Sequence, residues 1–352
     1  MDEKERIEQL SNLFGPSGFE EEVSDFVRSQ LQDLSLDQDS MRNLCGAFGT
    51  HGPLVMLDAH LDEVGLIVQA IKPDGTMRFL TLGRMAPEAL AANSFLIRTK
   101  HGTFVPAVVA CRPPHFRTKS EMDQPLDISS MVLDCGTSSK AETEALGIGI
   151  GSPVAPWVQC RYEEQLHRYY GKAFDCRIGV AAEIATLKQL ETEGFDELNC
   201  RIGASFSVQE EVGERGVLVN AARLRPDVMI CFEGCPADDT FSEEYMVQAA
   251  LGKGPMLRNM DVSMITNWRF QKFAVDLARK CQIPVQESVR AGGGTNAAAV
   301  NRMYGTPAIV IGIPVRYIHS PHCFADEKDY QNAVELAVEL VHALNDEVVS
   351  KF

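Results

Sequence analysis

The 352-residue sequence lacks a long apolar run, a cysteine-pair motif and an excess of basic residues. Because no run reaches the roughly 20 apolar residues that cross a bilayer, no membrane span is predicted. Lys and Arg number 33 against 49 Asp and Glu, and the net charge of −16 disfavours nucleic acid and anionic membranes as partners. The charged start MDEKERIEQL has no apolar segment of a signal peptide, and the 10 cysteines form no CxxC pair. We therefore expect a cytoplasmic protein with reduced thiols.

Composition and patterning predict a folded α/β protein with two domains. Hydrophobic residues make up 45% and charged residues 23%, as in ordinary globular proteins, and chains beyond roughly 250–300 residues usually divide into domains. From residue 173 onward strand and helix signals alternate, which predicts a layered α/β domain with a mostly parallel sheet. Residues 72–165 carry short runs of Val, Ile, Thr and Phe between turn residues, which predicts an inserted β-rich domain. The larger domain would then comprise residues 1–71 and 166–352.

Individual elements follow from the period of the apolar residues. Strands are predicted at 54–58, 202–208, 227–232, 283–287 and 308–313. Helices are predicted at 178–190, 267–280 and 327–344. In open α/β sheets, binding sites form outside the carboxyl ends of the strands, so the residues that follow each strand are the candidates for function.

Acidic and imidazole side chains follow these apolar runs at five places. They are the run Asp58–Glu63 after LVML, Asp175 after Lys172-Ala173-Phe174, Glu210 and Glu211 after IGASFSVQ, Glu233 after DVMICF, and His319 after AIVIGIPVRYI. A folded core has no need for this placement, since ionised carboxylates are costly to bury unpaired. Two imidazoles with several carboxylates suit two divalent ions that share a bridging carboxylate, with Zn predicted first and Co or Mn as alternatives.

The chemistry of such a site suggests a role for each metal ligand. His60 and His319 would each bind one ion as a neutral terminal ligand, and Asp175 would bridge the two ions. Glu211 and Glu233 would each hold one ion. Short-range sharing of one carboxylate would keep the two ions close enough to act on the same water molecule.

Two further carboxylates and a glycine-rich loop complete the predicted site. Glu210 would act as general base and take the proton from the bridging water, and Asp62 would accept the free N–H of a ligand imidazole. The GGGTN loop lacks the spacing of a phosphate-binding loop. We interpret Gly293, Gly294 and Thr295 as a tight loop that binds a carbonyl or carboxylate of the substrate, with a plain glycine turn as the alternative.

Each residue taken alone also has an ordinary structural interpretation. Adjacent glutamates such as Glu210 and Glu211 usually start a solvated loop, and Asp175 could cap a helix. His322 competes with His319 as the imidazole that faces the site. The joint placement of all these groups at strand ends is what favours the metal site.

Seven ordered segments resemble a known enzyme family. The run DAHLDEVG at 58–65 resembles a signature of the M42 metallo-aminopeptidases, which include glutamyl and deblocking aminopeptidases and the tetrahedral TET peptidases. The other similar segments are GPSGFEEEV at 15–23, GKAFDCRIG at 171–179, SVQEEVGERG at 207–216, GKGPMLRNMD at 252–261, GGGTNAAAV at 292–300 and RYIHSPH at 316–322. HLDE alone is a weak signal, but together the segments extend over almost the whole chain.

The resemblance implies a fold, an activity and an assembly. The implied fold is a three-layer α/β/α catalytic domain of the phosphorylase/hydrolase type, with a small β-barrel dimerisation domain inserted after the strand that bears His60. The implied metal ligands and general base are the residues that the strand ends predict. The implied activity is the removal of N-terminal residues from short peptides. The implied assembly is a homo-oligomer, from a dimer up to a dodecamer.

Three positions depart from the family pattern. The usual Asp-Asp-Arg reads Asp-Cys-Arg at 175–177. A terminal Asp ligand is replaced by Glu233, for which Asp238 or Asp239 is the fallback. The usual Gly-Gly-Thr-Asp ends in Asn296, which we expect to remove a negative charge near the substrate. These departures affect the metal identity and the substrate class more than the fold.

Two other functions compete with the aminopeptidase. A metal-independent glycoside hydrolase of the endoglucanase type would place two carboxylates across a sugar cleft, yet the chain has only 2 Trp and 7 Tyr to stack on sugars. A non-catalytic peptide-binding relative would lack a ligand or the base, and every candidate is present. Sensitivity to chelators separates the metallo-aminopeptidase from the glycoside hydrolase.

Overall fold

The computed structural model describes residues 1–352, apart from the side chain of Glu121. The strands are β1 (Asp37–Gln38), β2 (Leu44–Phe48), β3 (Leu54–His60), β4 (Gly65–Ile71), β5 (Met77–Leu82), β6 (Ser94–Arg98), β7 (Phe104–Ala110), β8 (Val132–Asp134), β9 (Pro153–Pro156), β10 (Arg161–Glu163), β11 (Arg168–Gly171), β12 (Arg201–Ser207), β13 (Val228–Pro236), β14 (Met256–Met260), β15 (Gln286–Val289), β16 (Ala308–Arg316) and β17 (Cys323–Asp326). The α-helices are α1 (Glu3–Asn12), α2 (Glu21–Gln30), α3 (Pro87–Leu90), α4 (Lys119–Met122), α5 (Lys140–Ala145), α6 (Phe174–Glu193), α7 (Arg215–Leu224), α8 (Trp268–Cys281), α9 (Asn296–Tyr304), α10 (Glu327–Ala343) and α11 (Asp346–Val349). Among the described residues, no helix combines the length and the apolar character needed to cross a membrane.

The main sheet has a parallel centre with antiparallel strands on both sides. Its strand order is β1-β2-β12-β3-β13-β16-β17-β11-β10, and β14 pairs with both β15 and β16. The four neighbours β12, β3, β13 and β16 run parallel. Their carboxyl ends therefore meet at one edge of the sheet, where open α/β sheets form their binding sites.

The parallel strands are covered by helices on both faces. Successive side chains of a strand point to opposite faces, so Val55 and Leu57 of β3 join a core cluster with α1, α6, α8 and α10. Leu54 and Met56 join a second cluster with α7 and α9 on the other face. This arrangement confirms the predicted three-layer α/β/α fold and explains why these strands are apolar without alternation.

A helix and a strand begin several residues away from the predicted starts, and β3, β13 and β16 extend beyond their predicted ends. Helix α6 begins at Phe174 rather than at 178, because its first turn carries the charged Asp175 and Arg177, which conceal the apolar pattern. The strand predicted at 283–287 is β15, which begins at Gln286. Pro284 has no N–H to give to a ladder, and pairing starts only with the N–H of Gln286, which donates to Pro255 O.

A closed barrel interrupts the layered domain. Its strands follow the order β4-β5-β8-β7-β6-β9 and enclose a separate cluster that includes Leu66, Phe79, Phe95 and Val109. The barrel confirms the small β-barrel of the predicted fold. Its first strand, β4, lies just before the predicted insertion at 72–165, and the division into two domains and the dimerisation role stay predictions.

Candidate metal centre

Two neighbouring strands deliver the first ligands to the same edge of the sheet. β3 ends at His60, which is 1% exposed, and the parallel register places Ser207 of β12 opposite it. The chain leaves β12 through Gln209, whose φ of 57° turns the backbone sharply. Glu210 and Glu211 follow, so the turn brings both carboxylates beside His60.

A close backbone contact brings the next two carboxylates together. Glu233 lies on β13, and the following residue, Gly234, packs against the first turn of α6. A Cβ at Gly234 would lie 2.6 Å from Phe174 O and 2.9 Å from Asp175 N. Only glycine fits there, and its small size lets Glu233 approach Asp175.

Asp175 joins two histidines through separate oxygens. Its Oδ1 lies 3.1 Å from His60 Nε2, and its Oδ2 lies 3.1 Å from His319 Nε2. Glu233 Oε2 lies 3.6 Å from His60 Nε2, and Glu211 Oε1 lies 3.3 Å from His319 Nε2. The five predicted ligands thus form two adjacent groups that share Asp175.

The residues present fit a pair of divalent cations. In each group, one ligand atom from every member lies within 4.8 Å of the others; the groups are His60, Asp175, Cys176 and Glu233, and Asp175, Glu211 and His319. Glu211 Oε1 is buried and, apart from the approach of His319 Nε2 at 3.3 Å, has no hydrogen-bond partner. Imidazole and carboxylate donors suit Zn, Co or Mn.

The electrostatics of the site show the same need for positive charge. Burial, and then the charge of Glu233, raise the pKa of Glu210 well above its usual range, and burial raises the pKa of Glu233 to about 7. Burial alone would lower the pKa of His319, but the Glu211 and Asp175 carboxylates raise it to about 11. A bound cation would compete with protons for these carboxylates and imidazoles.

Asp62 lies below the site and holds the loop that carries both glutamates. Its carboxylate accepts hydrogen bonds from the backbone N–H groups of Glu210 at 2.9 Å and Glu211 at 3.1 Å, and from Ser17 Oγ at 2.6 Å. Its Oδ1 also lies 3.3 Å from His60 Nδ1. Asp62 is therefore beside the imidazole, as predicted, and in addition fixes the loop of the predicted base.

Glu210 lies beside the two ligand groups rather than within them. Its Oε2 lies 3.9 Å from His60 Nε2. The side chain is about one-eighth exposed, at 12%, whereas Glu211 is 5% exposed. A carboxylate near the ligands but outside their groups is placed as a proton acceptor would be.

A buried charge cluster behind the site was not found from the sequence. Lys172 Nζ lies 2.6 Å from Glu63 Oε1, and Arg177 Nη2 lies 3.5 Å from the same oxygen. Arg177 also donates to the carbonyl oxygens of Leu61, Leu10 and Gly15. The detectable signal was two basic residues flanking Asp175 in a segment that is otherwise apolar.

The glycine-rich loop leads into α9 and differs in exposure along its length. Gly293 and Gly294 are exposed, and a Cβ at Gly293 would lie 3.8 Å from Arg258 Nη1. Thr295 is 1% exposed and its Oγ1 has no hydrogen-bond partner. Asn296 is buried and donates to Asp58 Oδ2 and Ser207 Oγ, at 2.8 Å each, and its nearness to the substrate stays a prediction.

The structure decides between alternatives that the sequence left open. His322 is exposed and contacts Tyr170 OH at 2.6 Å, so His319 is the imidazole that faces the site. The fallback ligands hold loops elsewhere: Asp238 accepts from Arg290 Nη1 at 2.8 Å, and Asp239 pairs with the Arg316 guanidinium at 2.6 Å. Of the three carboxylates, Glu233 is the one that lies in a candidate metal group.

Comparisons with known proteins find one peptidase family along the chain. A sequence profile of the M42 glutamyl aminopeptidase family matches residues 43–336. The chain is 33% identical to the lysyl aminopeptidase of Pyrococcus furiosus, over 97% of each chain. A TET aminopeptidase from a marine sediment Thaumarchaeota archaeon is 32% identical, with a TM-score of 0.95 over 99% of this chain and 98% of that chain. The TET1 peptidase of Pyrococcus horikoshii, described as assembling into a tetrahedron or a large octahedral shell, is 25% identical, with a TM-score of 0.87 over 97% and 100%.

Proposed function

Because the chain belongs to the M42 glutamyl aminopeptidase family, and is therefore a peptidase of the hydrolase class, we propose that it removes N-terminal residues from short peptides with two divalent cations. The observation that carries the proposal is the position of the Asp175 carboxylate. One of its oxygens lies 3.1 Å from His60 Nε2 and the other lies 3.1 Å from His319 Nε2. His60 and Glu233 would hold one ion and Glu211 and His319 the other. Zn is the first choice, and Co or Mn are alternatives.

The reaction follows from the positions of the side chains. When bound, the cations would polarise the scissile carbonyl and make water a stronger acid. Glu210 takes a proton from the attacking water and returns it to the departing amine. An O–H bond of water and the peptide C–N bond break, and a C–O bond and an N–H bond form, so Glu210 returns to the carboxylate at the end. Asp62 keeps that carboxylate in place through the backbone of its loop.

The substrate contacts would come from the loop beside the centre. Gly293, Gly294 and Thr295 precede α9, so their N–H groups lie near the positive end of its dipole. We propose that they bind a carbonyl or carboxylate of the peptide. The family is named for a glutamyl aminopeptidase, and one relative is a lysyl aminopeptidase. The preferred N-terminal residue of the substrate therefore differs between individual proteins.

We further propose that the chain forms a homo-oligomer through the barrel. Large apolar side chains on the barrel are exposed, among them Leu80 at 53% and Val108 at 42%. Contact with a second copy would cover them. The shell described for the TET1 peptidase supports assembly beyond a dimer. Sedimentation that gives a monomer at micromolar protein would contradict this proposal.

The test of the activity combines metal analysis with a scan of aminoacyl chromogenic substrates. We expect two ions per chain, hydrolysis of at least one aminoacyl substrate, and loss of turnover after chelation with recovery on adding the metal. Hydrolysis of a cellulose-type substrate that survives chelation would instead indicate the glycoside hydrolase. Two bound ions without turnover on any peptide would indicate the non-catalytic binding protein.

A further inference from the structure

A thiol lies among the ligands of one half of the centre and not of the other. Cys176 Sγ belongs to the group with His60, Asp175 and Glu233, within which one ligand atom of each residue lies within 4.8 Å of the others. The group around His319 offers only imidazole and carboxylate donors. The two halves therefore differ in chemistry, although they share Asp175.

The thiol is held in this place by its surroundings. Cys176 is 0% exposed, and its Sγ contacts Phe232 O at 3.2 Å on the strand that carries Glu233. A Cβ at Gly179 would lie 2.4 Å from the sulfur, so the absence of a side chain one turn along α6 makes the room that the sulfur occupies.

We propose that Cys176 is a further ligand of the cation at His60, Asp175 and Glu233. This inference rests on the proposed two-metal centre. Thiolate is a soft donor and favours Zn or Co over Mn, whereas carboxylate and imidazole discriminate less. The half with Cys176 would therefore select Zn or Co, and the half with Glu211 and His319 would remain permissive for Mn.

The proton balance of this step is simple. Without a cation, the thiol keeps its proton and donates it to Phe232 O. A metal ligand must be the thiolate, so binding of the cation releases one proton from Sγ to the solvent. No oxidant or reductant is needed, since only a coordination bond forms and only an S–H bond breaks.

Two neighbouring cysteines provide matched controls. Cys235 is also 0% exposed, but its sulfur accepts from Arg258 Nη2 at 3.1 Å and lies outside the ligand group. Cys231 Sγ is 3.9 Å from Glu233 Oε1 and lies outside the group as well. Both resemble Cys176 in burial and differ from it in their relation to the centre.

The experiment is a titration of the metal-depleted full chain with Co²⁺, followed by absorption spectroscopy. We expect a near-ultraviolet charge-transfer band from thiolate to cobalt, saturating at one ion per chain while total binding reaches two. Cys176→Ser should lose the band, and Cys231→Ser and Cys235→Ser should keep it. The Zn²⁺ affinity of the site with His60, Asp175 and Glu233 should fall in Cys176→Ser by at least about tenfold. Loss of a residue that only hydrogen-bonds to a metal ligand already has an effect of this size.

The outcomes separate this inference from the proposed function. Two bound cobalt ions without the band would overturn the role of Cys176 and leave the two-metal centre standing. A band that persists in Cys176→Ser would assign the sulfur to another residue and also overturn it. Failure to bind Co²⁺ at all would contradict both. If Cys176→Ser does not fold, a charge-transfer band that both Cys231→Ser and Cys235→Ser retain supports Cys176 as the ligand. Absence of the band in the wild type overturns the proposal.

Discussion

Asn296 donates a hydrogen bond of 2.8 Å to the carboxylate of Asp58, two residues before His60. The same amide nitrogen also donates to Ser207 Oγ, and Ser205 Oγ contacts the other oxygen of Asp58 at 2.5 Å. These groups are buried. An amide in this position therefore ties the start of α9 to the ends of β3 and β12 without adding a charge.

Replacing this amide by a carboxylate should destabilise the protein. Asn296→Asp would face Asp58 in a buried space and lose two donated hydrogen bonds, at a cost of roughly 1–3 kcal/mol. The helix N-terminus would offset only about 0.3–1 kcal/mol of this. Thermal unfolding of metal-loaded protein measures the effect, with Asn296→Ser as the uncharged control. An Asp variant as stable as the Ser variant would show that the charge carries no cost.

The two adjacent glutamates should respond differently to the same substitution. Glu210→Gln keeps its shape but takes no proton, so both metals should remain while turnover falls by roughly 10²–10⁴. Glu211→Gln removes an anionic ligand, so one metal should be lost and activity should recover partly with excess ion. Metal analysis of both purified variants makes the distinction. Metal loss in Glu210→Gln together with a fully loaded, inactive Glu211→Gln would reverse the two roles.

The buried charge cluster behind the site should be costly to break. Glu63→Gln leaves Lys172 and Arg177 without their carboxylate, and breaking a buried pair typically costs about 3–5 kcal/mol. The control is Glu164→Gln, whose partner Lys4 and whose own side chain lie at the surface, where such pairs are worth about 0–1 kcal/mol. Denaturant unfolding at constant metal concentration compares the two. Equal losses of unfolding free energy in both variants would mean that Glu63 does not stabilise the buried side chains of Lys172 and Arg177.

Stability should depend on pH through Asp329, which lies away from the metal centre. Burial raises its pKa to about 7, although its carboxylate accepts hydrogen bonds from the N–H groups of Gly252 and Gly254. A raised acid pKa in the folded state means that the contribution to stability is full below about pH 4 and is lost as pH rises towards 7. Asp329→Asn removes this loss, so the stability of the variant relative to the wild type should increase by up to roughly 1.4 kcal/mol per pH unit in that window. A difference that does not change with pH would exclude the effect.

The sequence predicted which candidate side chains come together better than it predicted what packs around them, for a physical reason. His60 ends β3 and Glu210 and Glu211 follow β12. These two strands run parallel and end at a common edge, so the three side chains could be expected together. Asp175 lies in the first turn of α6 and Glu233 within β13, and the register of the fold brings them to the same place. The roles of Asn296 and Cys176 depend on which strand lies beside which helix. That register is fixed by contacts such as Gly234 against Phe174 O, which have no signature in the local pattern.

The short connection between β3 and β4 has a mechanical consequence. Only residues 61–64 join the strand that ends at His60 to the barrel, and all four are buried. Asp62 accepts a hydrogen bond from the backbone of the glutamate loop, and Glu63 pairs with Lys172. The connection is therefore held by side-chain contacts at two consecutive residues. A rotation of the barrel would therefore move the imidazole of His60 with it, because the connection does not act as a hinge. The connection is therefore a poor place to insert a tag or a flexible linker, whereas the exposed segment at 112–116 is a natural one.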